Sequence, residues 1–130
     1  MATFSLLVTA SPHSSQGQYS ALEFTKALLQ QGHTLKRIFF YGDGVLVASR
    51  LNCPPSDEIN LTKSWAKLAI EHDFELTVCV TAALKRGITN AAEADRNALT
   101  GDNLDPAYEI SGLGQLTEAM LESDRLITFG

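Results

Sequence analysis

Cysteine is scarce in this sequence, and its two cysteines, Cys53 and Cys79, form no CxxC motif. No group of cysteines and histidines has the spacing of zinc ligands, which argues against a structural zinc site. A domain of 130 residues buries enough surface to fold without a disulfide or a metal. We therefore expect two free thiols, no metal and no cofactor.

Long apolar runs are also absent, since no stretch approaches the roughly 18 residues that read as a membrane-spanning helix. The first apolar run, Phe4 to Ala10, is short and has no basic region ahead of it, so it does not resemble a signal peptide. Free thiols persist in a reducing compartment. We therefore expect a cytoplasmic protein that does not enter a membrane.

An excess of positive charge is missing as well. The formal net charge is -5, and the lysines and arginines are scattered along the chain. Direct binding to nucleic acid is not expected, because it needs a concentrated basic face. Apolar residues make up 45% and charged residues 19% of the chain, which is typical of a folded core rather than disorder. Without an internal repeat or linker, residues 1–130 are predicted to form a single domain.

Four nearly continuous apolar segments predict strands that are covered on both faces. They are Phe4–Val8, Ile38–Tyr41, Leu76–Val80 and Leu126–Phe129, with a weaker signal over Ala107–Ile110. Apolar residues recur with helical spacing in three segments between them. These are Gly17–Gln31 before a Gly32 cap, Asp57–His72 after a Ser56 cap, and Gly112–Glu122 after a Ser111 cap. The alternation predicts a layered α/β fold with a mostly parallel sheet of four or five strands flanked by helices.

Cys79 is the strongest candidate for chemistry, because it falls at the carboxyl end of the third predicted strand. Functional sites in open α/β sheets gather beyond these strand ends. A helix that begins after Cys79 would aim its backbone N–H groups at the sulfur and favour a thiolate, and Lys85 and Arg86 could add positive charge. The alternative is a small buried core residue, which is the common role of a cysteine in a strand.

The other candidates have simpler structural interpretations. Cys53 lies in a proline-containing loop, where it could resolve or regulate Cys79 or be incidental. The glycines of Tyr41–Val45 could approach a phosphate, but no complete nucleotide-binding motif is present and a tight turn explains them equally well. His33 and His72 are typical of helix ends. No GxSxG motif supports a serine hydrolase.

Two motifs carry a resemblance to a known family. Val78–Ile88 contains Cys79 and, after Val80 and Thr81, the run Ala-Ala-Leu-Lys-Arg-Gly; Ser111–Leu116 is Ser-Gly-Leu-Gly-Gln-Leu. Further matching pieces are Phe39–Tyr41 with Gly44–Val45, Pro55–Glu58, the helix around Trp65, and Asp124–Leu126. On these residues the chain resembles the TusD/DsrE sulfurtransferase family along essentially its whole length, and the TusD branch most. It departs at Thr81, where relatives often have alanine, and at Cys53, where a small polar residue is expected.

The resemblance implies a DsrE/DsrF-like subunit of a heterohexamer, assembled with TusB-like and TusC-like sister chains. It implies a persulfide on Cys79, received from a TusA-like donor and passed to a TusE-like acceptor. The TusD branch supplies sulfur for 2-thiouridine at the tRNA wobble position, whereas the DsrE branch serves sulfur oxidation. The resulting hypothesis is a sulfurtransferase with Cys79 as nucleophile and carrier, and with Lys85 and Arg86 as electrostatic support. A non-catalytic structural subunit and a nucleotide-binding module are the alternatives.

Overall fold

Strands and helices alternate along the chain in the computed structural model, which describes residues 1–130. The strands are β1 (Thr3–Val8), β2 (Thr34–Phe40), β3 (Glu75–Cys79), β4 (Tyr108–Ser111) and β5 (Arg125–Phe129). The helices are α1 (Gly17–Gln30), α2 (Leu61–His72), α3 (Val80–Lys85), α4 (Ala91–Arg96) and α5 (Gly114–Glu122), and a 3-10 helix spans Gly42–Ala48. The predicted α/β class is confirmed.

The five strands form one sheet in the order β4-β3-β2-β1-β5, and every neighbouring pair is parallel. The sheet therefore includes β4, which corresponds to the weak fifth signal near residues 107–110. All strand carboxyl ends meet at one edge, because parallel strands run in the same direction. This edge carries Cys79 and is where the predicted site belongs.

Helices cover both faces of the sheet. Phe40 of β2 packs edge-to-face on Trp65 of α2, with ring centroids 6.0 Å apart. Arg37, three residues earlier in β2, donates a hydrogen bond of 2.9 Å to the Gln115 carbonyl oxygen in α5. Side chains three apart in a strand point to opposite faces. Helices α2 and α5 therefore lie on opposite faces of the sheet.

The core is densest around the inner strands. Its largest fully buried side chains include Trp65, Phe39, Phe40, Leu6, Leu22 and Ile38. Edge strand β5 contains no buried residue, so the expectation of a strand covered on both faces does not hold there in the isolated chain. No helix has the length and apolarity needed to cross a bilayer.

Helix α1 ends as predicted at a glycine. Gly32 has a φ of +85°, a left-handed conformation that costs glycine little. Its N–H donates to the Leu29 carbonyl at 3.1 Å, and the His33 N–H donates to the Leu28 carbonyl at 3.0 Å. This pair of bonds is the Schellman arrangement. The His33 ring accepts a hydrogen bond of 3.2 Å from the Ala2 N–H, so this histidine has a structural role at the helix end.

The predicted start of α2 is wrong. Ser56 does not cap a helix beginning at Asp57, because α2 begins at Leu61. Asn60 is the N-cap, and its side chain accepts a hydrogen bond from the Lys63 N–H at 3.1 Å. Asparagine satisfies a free N–H of the first turn in the same way as serine. The acidic residues after Ser56 therefore lie in a loop rather than in a first helical turn.

The predicted start of α5 is also wrong, and one helix was missed. Ser111 is the last residue of β4 rather than a helix cap, and α5 begins at Gly114 instead of Gly112. The missed helix is α4, which Asn90 caps by accepting a hydrogen bond of 2.9 Å from the Glu93 N–H. An asparagine three residues before a glutamate is a recognisable helix-start signal.

Candidate functional site

Cys79 is the last residue of β3 and the residue immediately before α3. The predicted strand-end position and the helix that follows it are both confirmed. The side chain is only 3% exposed and belongs to the main apolar cluster. It accepts no capping hydrogen bond from the N–H groups of α3. The sulfur is therefore next to a helix start but shielded from solvent.

The strand register defines which groups lie beside Cys79. Val78 pairs with Phe40 and shares the α2 face of the sheet, so the neighbouring Cys79 points toward the α5 face. In β4, Ser111 is the register partner of Cys79. Register partners in a parallel sheet project to the same side. The Cys79 thiol and the Ser111 hydroxyl are therefore neighbours at the carboxyl edge.

The Ser111 hydroxyl is chemically unusual in this protein. Its oxygen is buried and has no hydrogen-bond partner, and no other buried side-chain nitrogen or oxygen is unpaired. Buried polar groups in folded proteins almost always have a partner. The local sequence does not predict an unpaired hydroxyl at Ser111, because serine before Gly-Leu-Gly has the pattern of a helix cap.

Arg86 and Lys85 lie at the end of α3. The Arg86 guanidinium donates to the Asp43 carboxylate at 2.9 Å and to the Ala82 carbonyl at 3.2 Å. Lys85 is exposed. Neither side chain hydrogen-bonds the Cys79 sulfur, and Arg86 instead ties the end of α3 to the 3-10 helix.

Cys53 is exposed, whereas Cys79 is buried. Cys53 lines a cavity of about 500 Å³ between the loop after β1 and the loop before α2. His13, Tyr19 and Glu58 line the same cavity, whereas Cys79 does not. The two cysteines are both free and form no disulfide.

Gly44, in the 3-10 helix after β2, has a packing role. A Cβ on Gly44 would stand 2.3 Å from the Val8 carbonyl oxygen, so only glycine allows the 3-10 helix to approach β1 this closely. The buried Gln18 side chain donates to the Gly44 carbonyl at 3.1 Å and accepts from the Trp65 indole at 3.2 Å. These contacts account for Gly44 without a bound nucleotide.

The chain belongs to the DsrE/DsrF-like family, whose family model matches residues 3–129. The resemblance drawn from the Cys79 and Ser111 motifs is thereby confirmed. Because the match spans nearly all of the chain, it includes β3, β4 and the carboxyl edge that carries both residues.

Several relatives match over nearly their full length. The protein named "Sulfurtransferase TusD" of Serratia proteamaculans is 46% identical, with 99% of this chain and 100% of the relative covered. "Sulfurtransferase TusD" of Klebsiella pneumoniae is 47% identical over 97% of this chain and 98% of the relative. The Allochromatium vinosum protein named "Putative sulfurtransferase DsrE" is 44% identical over 98% of each chain. Both branches are therefore represented at similar identity.

The ychN protein from E. coli, known from a crystal structure, shares the architecture. It superposes with a TM-score of 0.75 over 99% of this chain and 100% of that chain, at 21% sequence identity. This likeness supports the fold, including the layered arrangement of sheet and helices.

Proposed function

We propose that this chain is a sulfurtransferase subunit that accepts sulfane sulfur on Cys79 as a persulfide and relays it to another protein. One observation carries the proposal. Cys79 ends β3 directly before α3, in a chain whose full-length relatives are named sulfurtransferases. A cysteine at a strand end before a helix is well situated for thiolate chemistry.

The transfer resembles thiol–disulfide exchange. The Cys79 thiolate attacks the outer sulfur of a donor persulfide, a new sulfur–sulfur bond forms, and the bond within the donor breaks. The donor leaves as a thiolate, so no external oxidant or reductant is required. Discharge repeats the step with an acceptor thiolate attacking the outer sulfur on Cys79. The chemistry needs no catalytic triad.

We propose that α3 supports this chemistry. The free N–H groups of its first turn point toward the Cys79 end of the helix. Arg86 anchors the other end of α3 through its ion pair with Asp43. Lys85 is exposed and adds positive charge near the site. Arg86 and Lys85 would therefore act through the position and field of α3, without contacting the sulfur.

The burial of Cys79 supports a relay between proteins. A thiol that is 3% exposed is protected from bulk oxidants, and a docked partner that opens the site would deliver sulfur to it faster than a small donor does. The net charge of -5 argues for protein partners rather than direct contact with RNA. We propose a TusA-like donor and a TusE-like acceptor in the cytoplasm.

Exposed apolar side chains support an assembly. Three large apolar side chains are exposed at α5: Leu113, just before the helix, is 52% exposed, and Met120 and Leu121 within it are 53% and 82% exposed. A cluster of large exposed apolar residues commonly marks a protein interface. We propose that TusB-like and TusC-like chains cover this helix in a heterohexamer.

The proposed destination of the sulfur is 2-thiouridine at the tRNA wobble position. The TusD-named relatives support this branch, and the DsrE-named relative supports the alternative of dissimilatory sulfur oxidation. The two destinations can be distinguished by deleting the gene and complementing the deletion with either the wild-type gene or the Cys79→Ser variant. Loss of tRNA thiolation in the Cys79→Ser strain supports the first destination, and normal thiolation with impaired sulfur oxidation supports the second.

A non-catalytic structural subunit is the second candidate function. The observation that favours it is the membership of Cys79 in the apolar core cluster, where many cysteines serve only packing. In that case Cys79→Ser leaves relay activity intact.

Peptide-resolved mass spectrometry after incubation with glutathione persulfide tests the carrier role. The proposal predicts one added sulfur on the Cys79 peptide in wild type and in the matched control Cys53→Ser. It predicts no added sulfur at this position in Cys79→Ser. A wild-type chain that never gains sulfur on Cys79 would overturn the proposal.

A further inference from the structure

The Ser111 hydroxyl lacks a partner in the one place where a carried sulfur would need one. Its oxygen is buried and unpaired, and it is the only such side-chain atom in the protein. An unpaired buried hydroxyl is destabilising, and a same-sized apolar residue would avoid that cost. The stability of the resting fold therefore does not explain why this residue is a serine.

Its neighbour supplies that explanation. Ser111 is the register partner of Cys79 across β3 and β4, so the two side chains project side by side from the sheet. The thiol sulfur does not itself hydrogen-bond the Ser111 hydroxyl. A second sulfur on Cys79 would lengthen that side chain by one bond of about 2 Å. The carried atom would then enter the surroundings of the free hydroxyl.

We propose that Ser111 is a positioning residue that donates a hydrogen bond to the outer sulfur of the Cys79 persulfide. This inference rests on the proposed carrier function of Cys79. The outer sulfur of a persulfide anion carries the negative charge, and a hydroxyl that donates to a charged acceptor makes one of the stronger hydrogen bonds. The hydroxyl is unpaired in the empty chain and paired in the loaded chain, so it favours loading.

Three variants of the full chain, purified with any partner chains that remain bound, test this role. Ser111→Ala removes the hydroxyl, and Ser111→Thr retains one. Ser5→Ala is the matched control, because Ser5 is a fully buried strand serine whose hydroxyl lies 2.7 Å from that of Ser123. Each chain is equilibrated with glutathione persulfide and glutathione at a fixed ratio, and the sulfur on the Cys79 peptide is measured.

The proposal predicts that Ser111→Ala lowers the loading equilibrium constant about tenfold, the usual effect of losing one hydrogen bond to a charged group. Its melting temperature should not fall, because the hydroxyl has no partner in the empty chain. Ser111→Thr should recover most of the loading. Ser5→Ala should behave oppositely, with a lower melting temperature and normal loading.

Two results would overturn the inference while leaving the carrier function in place. One is a Ser111→Ala chain that loads Cys79 as fully as wild type. The other is a Ser111→Ala chain whose loading and melting temperature fall together without rescue by threonine, which would indicate a structural role. A wild-type chain that takes no sulfur on Cys79 contradicts both proposals.

Discussion

Cys79 and Cys53 carry the same thiol group but differ in how exposed it is to solvent. Cys79 is 3% exposed at the end of β3, whereas Cys53 is exposed in a loop and lines a cavity. A reagent must reach a thiol before it can react. At the residue scale, the difference in exposure should therefore control which cysteine is modified first.

Brief treatment with iodoacetamide should alkylate Cys53 well before Cys79. The physical reason is access, since the apolar core surrounds the Cys79 sulfur. Peptide mass spectrometry over time measures the alkylation rates of both cysteines. The Cys53→Ser variant shows whether alkylation of Cys79 depends on prior alkylation of Cys53. Equal rates at the two cysteines would mean that the site opens without a partner.

Tyr108 should make the stability of the folded chain depend on pH in the alkaline range. Burial, together with the negative charge of Asp105, raises the pKa of Tyr108 well above its ordinary value of 10.0. The folded state therefore keeps the phenol neutral at a pH where the unfolded chain loses its proton. This contribution to stability is complete below about pH 10 and is lost as the pH rises toward the folded-state pKa.

Tyr108→Phe should make stability less sensitive to alkaline pH. At neutral pH the variant should be less stable by about 1 kcal/mol, because the hydrogen bond of 2.9 Å from the Tyr108 hydroxyl to the Thr62 carbonyl is lost. Between about pH 9 and 11 the difference in free energy of unfolding between the variant and wild type should become smaller. Urea unfolding at each pH measures this, and a gap that stays constant contradicts the raised pKa.

The sequence predicts the position of Cys79 but not the unpaired hydroxyl of its neighbour Ser111. A buried strand followed by a helical motif was enough to predict that Cys79 ends a strand. The unpaired Ser111 hydroxyl depends on the register between β3 and β4, which residues far apart in the chain determine. Arg86 was predicted from its charge, but its ion pair with Asp43 depends on how the 3-10 helix packs.

At the scale of elements, Gly44 and Gly112 differ in how closely other atoms approach them. Gly44→Ala should destabilise the chain by about 2 kcal/mol or more, because the new Cβ would stand 2.3 Å from the Val8 carbonyl oxygen. Gly112→Ala is the matched control, since no atom lies within 4 Å of its added Cβ. It should change stability by less than about 0.5 kcal/mol. Thermal unfolding compares the two, and equal stability would contradict the close approach of the 3-10 helix to β1.

The strands were easier to predict than the helix boundaries. Continuous apolar segments indicate β1, β2 and β3 because these strands are buried from both sides. Helix starts depend on single capping residues, and several polar residues compete for that role. Ser56 and Asn60 both fit the pattern before α2, and the hydrogen bond to the Lys63 N–H selects Asn60. Helix α4 was missed because its six residues are too short for a clear apolar period.

For the whole molecule, the exposed face of α5 predicts an interface. Leu121→Asp should weaken association with the sister chains, because Leu121 is 82% exposed and would become buried in the assembly. The isolated chain should stay folded. Ile70→Asp is the matched control, since Ile70 is 78% exposed on α2, which lies on the opposite face of the sheet. Co-purification of the sister chains measures association, and an equal effect of both changes would contradict the proposed interface.

A pulse–chase with radioactive sulfur tests whether Cys79 holds sulfur as an intermediate. The chain is loaded from a labelled persulfide donor and then given an acceptor thiol, and label is followed peptide by peptide. We predict that label on the Cys79 peptide rises during the pulse and falls as the acceptor gains it, in wild type and in Cys53→Ser. Label that reaches the acceptor from Cys79→Ser as quickly as from wild type would contradict this prediction.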